Sequence, residues 1–270
     1  MTMPPDAYAP EDGSRWTDSH CHLTMAPTAE DLDGALDRAR RAGVTRFVTI
    51  GTRPEDWGPA RALARRPNLW FTAGLHPHEA SRWTRDMETH LGRFFEEVPA
   101  PVAVGETGLD YHYDLSPREV QRSAFEAHVE RALDASVPLV MHSRQALDDT
   151  LAILRAAGTS LRGVIHCYTY GLEALEAFLE SGMYISFSGI LTFPAAPELR
   201  EAALRVPRDR ILVETDSPYL APVPFRGKPC EPWHTAVTGA CLADLLSTSS
   251  AELARLTSRN ADRLFALGES

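Results

Sequence analysis

The chain has 270 residues, with 27 basic and 37 acidic side chains and a formal net charge of −10 at pH 7. Proteins that coat duplex nucleic acid neutralise phosphates with an excess of basic residues, so this charge argues against a general DNA-coating role. The length allows one large α/β domain or two small ones, and the hydrophobic fraction of 44% is ordinary for a globular protein.

Residues 1–15 are acidic and rich in proline, and they lack the basic and apolar regions of a signal peptide. We predict a flexible N-terminal leader over 1–15 and one domain over 16–270. The four cysteines have no CxxC spacing, so they indicate neither a zinc knuckle nor a disulfide framework. No run of 18 apolar residues is present, so we expect no membrane-spanning segment and a cytoplasmic protein.

Short apolar runs alternate with amphipathic segments along the chain. The runs are bounded by polar residues, glycine or proline, as is typical of buried strands. In chain order, the eight predicted strands are Arg15–Thr17, Thr45–Ile50, Leu69–Ala73, Val102–Gly105, Leu139–His142, Gly163–His166, Tyr184–Ser188 and Ile211–Glu214.

Segments between these strands carry apolar residues three and four positions apart, which predicts helices. The pattern is clearest over residues 32–39, 120–133, 151–154 and 172–179. Ser116 and Glu119 have the spacing of a capping box, and we expect them to open the longest helix.

Alternating strands and helices indicate parallel pairing, and eight such units in about 250 residues match the size of a closed barrel. An open doubly wound sheet is the structural alternative, but it would have a glycine-rich phosphate loop after the first strand, which the sequence lacks. No linker, repeat or shift in composition suggests a second domain. We therefore predict a single (β/α)8 TIM-type barrel whose site lies at the C-terminal face of its strands.

Histidines and carboxylates stand at the ends of five predicted strands. The first strand runs into Asp18-Ser19-His20-Cys21-His22, and the alternation of side chains places His20 and His22 on one face, with Asp18 behind them. In a closed barrel, such strand ends converge at one mouth. The residues predicted to bind metal there are His20, His22, Glu106, His142, His166 and Asp216.

Six ligands of these types are enough for two divalent ions. Imidazole and carboxylate without thiolate suit Zn²⁺ or Mn²⁺, and suit Mg²⁺ less well. Two neighbouring ions need a bridging anion. Lys228, the only lysine, lies after the last strand, so Glu106 rather than a carbamylated lysine is the predicted bridge. We predict that Asp216 binds metal and takes the proton from the attacking water, and that Glu214 is a supporting residue.

The sequence resembles the TatD family of metal-dependent hydrolases, within the amidohydrolase-like enzymes, over about residues 16–267. The motifs that carry the resemblance are Asp18 to Leu23, Gly74 to His78, Gly105 to Tyr111, Met141 to Arg144, Ile165 to Cys167, Tyr184 to Gly189, Glu214 to Leu220 and Asn260 to Phe265.

This resemblance implies a TIM-type barrel and a metal-dependent deoxyribonuclease. It implies that one ion is held by His20, His22 and Asp216, the other by His142 and His166, and that Glu106 bridges them. Four further residues in loops after the strands are predicted to contact substrate, the arginines by clamping a phosphodiester. They are His76, His112, Arg144 and Arg226.

The chain departs from the family pattern at two loops. Tyr170 stands where the family has glycine, and we expect its ring to narrow or reshape the substrate groove. In the segment Arg226-Gly227-Lys228-Pro229-Cys230, a proline and Cys230 replace the usual arginine and asparagine, which removes a cation and an amide near the site. These departures leave the metal ligands intact, but they bear on the identity of the substrate.

Three functional hypotheses follow. The first is a two-metal deoxyribonuclease that cleaves DNA, preferably single-stranded, with a metal-activated water. The second is a hydrolase of a small amide, lactone or phosphoester, which the altered loops favour slightly. The third is a catalytically silent metal-binding partner in a multiprotein system. The formal net charge of −10 does not include two bound divalent cations, so it still permits weak binding of DNA ends or short single strands. The sequence identifies no protein partner.

Overall fold

A computed structural model describes residues 3–268. Eight strands form one sheet in the order of the chain, and each pair of consecutive strands from the first to the eighth is parallel. The strands are β1 (Trp16–Cys21), β2 (Val44–Gly51), β3 (Leu69–Ala73), β4 (Ala103–Asp110), β5 (Leu139–Arg144), β6 (Gly163–Ile165), β7 (Met183–Phe187) and β8 (Ile211–Val213). This order and the contact of β8 with β1 make a nearly closed (β/α)8 TIM-type barrel, as predicted.

Helices follow the strands and cover the outside of the barrel. They are α1 (Leu32–Arg41), α2 (Pro54–Leu63), α3 (Arg85–Glu96), α4 (Arg118–Ala135), α5 (Leu147–Ala157), α6 (Leu172–Glu180), α7 (Pro197–Arg205), α8 (His234–Leu245) and α9 (Ser250–Phe265). The predicted capping box before α4 is wrong. Pro117 is the N-cap, and the Ser116 hydroxyl instead donates to the His78 carbonyl and accepts from the Ser81 amide.

Alternate residues of the strands serve two hydrophobic cores. One set, which includes Phe47 and Met141, packs outward against the helices. The other set, which includes Val48 and Val140, packs with Phe265 near the end of α9. The period of two in a strand explains this division, because successive side chains point to opposite faces. The amino ends of the strands are therefore closed by apolar packing, and polar side chains gather at the carboxyl ends.

Hydrogen bonds join β1 to the segment that follows β8. The Asp216 amide donates to the His20 carbonyl over 2.9 Å, and the His22 amide donates to the Ser217 carbonyl over 2.8 Å. Asp216 has a φ of 59°, so the chain turns sharply here. These contacts set the predicted ligands from the first strand beside those from the last.

The described part of the N-terminal segment lies against the barrel. The Tyr8 ring is 5.9 Å from the Trp233 ring between centroids, and Asp6 forms an ion pair with Arg41. The division into a leader over 1–15 and a domain over 16–270 stays a prediction. Within residues 3–268, no helix combines the length and apolar character that crossing a membrane requires.

Candidate metal centre

Glu106 lies at the centre of the polar cluster, on β4 and almost fully buried. Its Oε1 atom is 2.8 Å from His166 Nε2, 3.2 Å from His142 Nδ1 and 3.4 Å from His76 Nε2. Its Oε2 atom faces the other way and lies 3.4 Å from His20 Nε2. The two oxygens of the Glu106 carboxylate thus face two different sets of imidazoles.

The histidines of β1 meet the carboxylate that follows β8. Asp216 Oδ1 lies 3.2 Å from His22 Nε2 and 3.6 Å from His20 Nε2. The six predicted ligands therefore come together around Glu106, although they are drawn from five strands. Their assignment as ligands stays a prediction.

Within residues 3–268, three groups of side chains bring candidate ligand atoms within 4.8 Å of one another. The groups are His20, Glu106 and His166; His20, His22 and Asp216; and His76, Glu106 and His142. His76 was predicted to contact substrate, but it lies inside the ligand cluster.

The chemistry of these donors fits divalent ions. Both ring nitrogens of His20 and Nδ1 of His22 are buried without a hydrogen-bond partner among the described residues. Buried polar atoms normally have a partner, so a nitrogen left in this state suits a lone pair directed at a metal. Neutral imidazoles together with carboxylates are the ligands that Zn²⁺ and Mn²⁺ accept.

Electrostatics within the cluster are strongly coupled. Burial acts to raise the pKa of Glu106, but His166, His76 and hydrogen bonding with His142 hold it well below its usual range. Burial acts to lower the pKa of His166, yet Glu106 and Glu214 raise it well above its usual value. The carboxylates thus favour a proton on His166, whereas burial lowers the pKa of His20, and metal binding at His166 has to release that proton.

Two predicted supporting carboxylates lie behind the ligands. Glu214 is fully buried, its Oε1 accepts the Cys167 amide over 2.7 Å, and the same oxygen lies 3.3 Å from His166 Nδ1. Asp18 accepts from the amide and hydroxyl of Thr215 over 3.0 and 2.6 Å. Burial raises the pKa of Asp18 to about 7. Glu214 thus lies beside a ring nitrogen, whereas Asp18 fixes the backbone that carries Asp216.

Asp110 is a site residue that the sequence analysis missed. Its carboxylate is fully buried, and Oδ2 lies 3.0 Å from both His142 Nε2 and His78 Nε2. A carboxylate on one ring nitrogen fixes the tautomer and leaves the other nitrogen free for a metal. The signal was present, since Glu106 and Asp110 are four apart on one strand and so share a face.

A cavity of about 510 Å³ opens at the carboxyl ends of the strands and contains most of the cluster. His76 and Arg144 line it, as expected of substrate contacts, and Arg53 and His78 add to the lining. His112 and Arg226 do not line it. His112 is exposed, and the Arg226 guanidinium lies 4.1 Å from the centre of the Phe193 ring. Their predicted contact with substrate has no support from this geometry.

Neither departure from the family pattern lies among the residues that line the cavity. The Tyr170 ring packs on the outer core beside Phe178 and is absent from the cavity lining. Its hydroxyl shares a hydrogen bond of 2.9 Å with the Ser143 hydroxyl and accepts the Ala146 amide. Cys230 is fully buried. The ring thus turns toward the helices and reaches the cavity only through Ser143, and the expectation that Tyr170 narrows or reshapes the groove stays a prediction.

Barrel and side-chain cluster together define a metal-dependent hydrolase of the (β/α)8 type, as the sequence predicted. A model of TatD-related DNases matches residues 17–266. The chain belongs to this family.

Relatives extend over nearly the whole chain. The uncharacterised metal-dependent hydrolase YcfH of Escherichia coli strain K12 is 40% identical over 258 residues, which cover 94% of this chain and 96% of YcfH. The 3′-5′ ssDNA/RNA exonuclease TatD of Erwinia billingiae is 38% identical and covers 91% of this chain and 97% of that protein. Among solved structures, the TatD homologue YjjV of Escherichia coli K12 superposes with a TM-score of 0.90 at 29% identity, covering 95% of this chain and 100% of YjjV.

Proposed function

We propose that the chain is a metal-dependent nuclease that cleaves phosphodiester bonds at the ends of short single strands of DNA. The observation that carries this proposal is Glu106, whose Oε1 faces His142 and His166 while Oε2 faces His20. A carboxylate shared between two ligand sets is the arrangement that two-metal phosphodiester hydrolysis needs. The name of the relative from Erwinia billingiae, a single-strand exonuclease, supports the substrate class.

In this proposal, His20, His22 and Asp216 would hold one ion, His142 and His166 would hold the other, and Glu106 would serve both. Bound divalent ions would supply positive charge to the phosphate and make a water more acidic. Zn²⁺ and Mn²⁺ suit the donors better than Mg²⁺.

Side chains of the protein would accept the proton and bind the phosphate. The Asp216 side chain is 13% exposed, against 4% for Glu106 and none for Glu214, so it is the carboxylate of these three that best reaches the cavity. We assign it the role of general base. Arg144 lines the cavity and offers a planar cation that can hold two phosphate oxygens.

Hydrolysis of a small amide, lactone or phosphoester is the competing function. The altered loops favour it slightly, but Tyr170 and Cys230 do not line the cavity, so we place it second. We also propose a cytoplasmic location, since all four cysteines are unpaired, as in reducing compartments.

A substrate screen with defined metals tests the function. Purified protein loaded with Mn²⁺, Zn²⁺ or Mg²⁺ should release nucleotides from single-stranded DNA, a chelator should stop the reaction, and Asp216→Asn should abolish it with the fold intact. Turnover of a small ester or amide without any cleavage of DNA would overturn the proposal. Metal binding without any turnover would instead favour a silent metal-binding role.

A further inference from the structure

Two tyrosines stand exposed on the rim of the metal-site cavity. Tyr113 is 54% exposed and Tyr219 is 53% exposed, and both line the cavity. Tyr113 follows β4 and Tyr219 follows β8, which are four strands apart in either direction around an eight-stranded barrel. The two rings therefore lie across the mouth of the barrel from one another.

The backbone of each tyrosine is hydrogen-bonded to a residue of the site. The Tyr113 amide donates to Asp110 Oδ1 over 2.9 Å, and Asp110 also contacts His142. The Tyr219 amide donates to the Asp216 carbonyl over 2.8 Å. These bonds anchor the backbone of each tyrosine beside the candidate ligands, which lowers the entropy cost of using its ring as a binding surface.

Neighbouring side chains suit a nucleotide chain. The Arg144 guanidinium lies 4.9 Å from the centre of the Tyr113 ring, and the Tyr219 ring makes an edge contact with His22 at 6.1 Å between centroids. Arg53 lines the same cavity and provides a second cation. Aromatic faces beside cations are how proteins bind unpaired bases and the backbone phosphates that join them.

We propose that Tyr113 and Tyr219 are stacking platforms for the bases of the two nucleotides that flank the bound phosphodiester. This inference rests on the proposed function and makes it specific. Stacking needs a base face that is free of its partner strand, so the two platforms select single-stranded ends over paired duplex. It also explains how a chain of charge −10 binds DNA, because stacking needs no excess of basic residues.

Equilibrium binding tests the platforms. The full chain is loaded with Ca²⁺ and titrated against a short single-stranded oligonucleotide labelled for fluorescence anisotropy. Tyr113→Leu and Tyr219→Leu are each expected to weaken binding about 5- to 150-fold, which corresponds to the usual cost of losing one stacked base. Tyr113→Phe and Tyr219→Phe keep the ring and should bind within about twofold of the unaltered chain.

A second oligonucleotide, abasic at the two terminal nucleotides, separates stacking from a change in structure. If the rings stack on bases, the leucine variants lose no further affinity for this oligonucleotide. Leu204→Ala, an exposed apolar change on α7 and outside the cavity lining, should leave both affinities unchanged.

Unchanged affinity in both leucine variants would overturn the platforms, as would an equal loss with both oligonucleotides. A cleavage assay with Mn²⁺ identifies which proposal has failed. If the unaltered chain releases no nucleotides, the proposed function fails and the platforms fail with it. If it releases them while the leucine variants bind normally, only the platforms fail.

Discussion

Replacing Asp110 with asparagine tests whether an outer carboxylate fixes the state of two histidines. The buried Oδ2 atom lies 3.0 Å from both His142 Nε2 and His78 Nε2. Asparagine keeps the shape and one acceptor for the amides of His112 and Tyr113. In place of Oδ2, the asparagine side chain presents an N–H donor or a weaker neutral acceptor to the rings of His142 and His78.

The expected damage falls on metal binding. While Asp110 accepts from His142 Nε2, the proton of the neutral ring stays on Nε2, and the Nδ1 atom, 3.2 Å from Glu106 Oε1, is the one that can bind metal. Without that acceptor, the ring can place its proton on Nδ1 and withdraw the lone pair. Loss of such partners typically reduces metal affinity or activity about 10- to 100-fold, or about 1.4–2.8 kcal/mol. Because two rings share Oδ2, we expect the upper part of this range.

Competition between the protein and a colorimetric chelator measures the affinity directly, without relying on turnover. Asp149→Asn is the matched control, since Asp149 also accepts a hydrogen bond, from the Tyr111 hydroxyl over 2.5 Å, but lies outside the cavity lining. Equal affinities for Asp110→Asn and the unaltered chain would refute the positioning role. A loss of affinity equal to that in Asp149→Asn would do the same.

Three other predictions concern stability. A chelator should lower Tm in calorimetry, because each ion present at about 100 times its Kd adds about 2.7 kcal/mol to the free energy of unfolding. An unchanged Tm would contradict metal binding. Burial lowers the pKa of His128 to about 4, whereas an unfolded histidine titrates near about 6.5. Above about pH 6.5 His128 is neutral in both states and does not lower the free energy of unfolding. Below that pH the unfolded chain binds a proton that the folded chain does not, so the free energy of unfolding falls by about 2 kcal/mol by about pH 5. Urea unfolding of His128→Gln should show a weaker dependence of this free energy on pH, and an unaltered dependence would refute the argument. Tyr170→Phe leaves the Ala146 amide without its acceptor and should lower the free energy of unfolding in urea by about 1–2 kcal/mol. Unchanged stability would contradict this prediction.

The barrel was predictable because its signals are local and repeated. All eight predicted strands occur, and the third, Leu69–Ala73, has the predicted bounds. The ligand cluster was predictable for a related reason, since a barrel brings the carboxyl ends of all strands to one face whatever the spacing in sequence. Glu106 and His142 therefore converge although 36 positions separate them.

The directions of side chains in the loops could not be predicted from the sequence. The position of Tyr170, four residues after the predicted ligand His166, suggested the groove, but the ring packs on the outer core and accepts the Ala146 amide. Ser116 had the spacing of a helix cap but contacts the loop after β3. His112 lies close to Glu106 in sequence, yet the turn that brings its amide to Asp110 leaves it exposed. Each outcome depends on tertiary partners that periodicity does not encode.

The joining of β1 to the segment after β8 also has a consequence for synthesis of the chain. His20 emerges early from the ribosome, but Asp216, whose amide bonds to the His20 carbonyl, emerges only when four-fifths of the chain has been made. A polypeptide that ends before residue 216 can present His20 and His22 but not the candidate group that they form with Asp216. If the proposed function holds, nuclease activity is therefore withheld until the barrel has closed, and growing chains, which lie beside messenger RNA, carry no assembled metal centre.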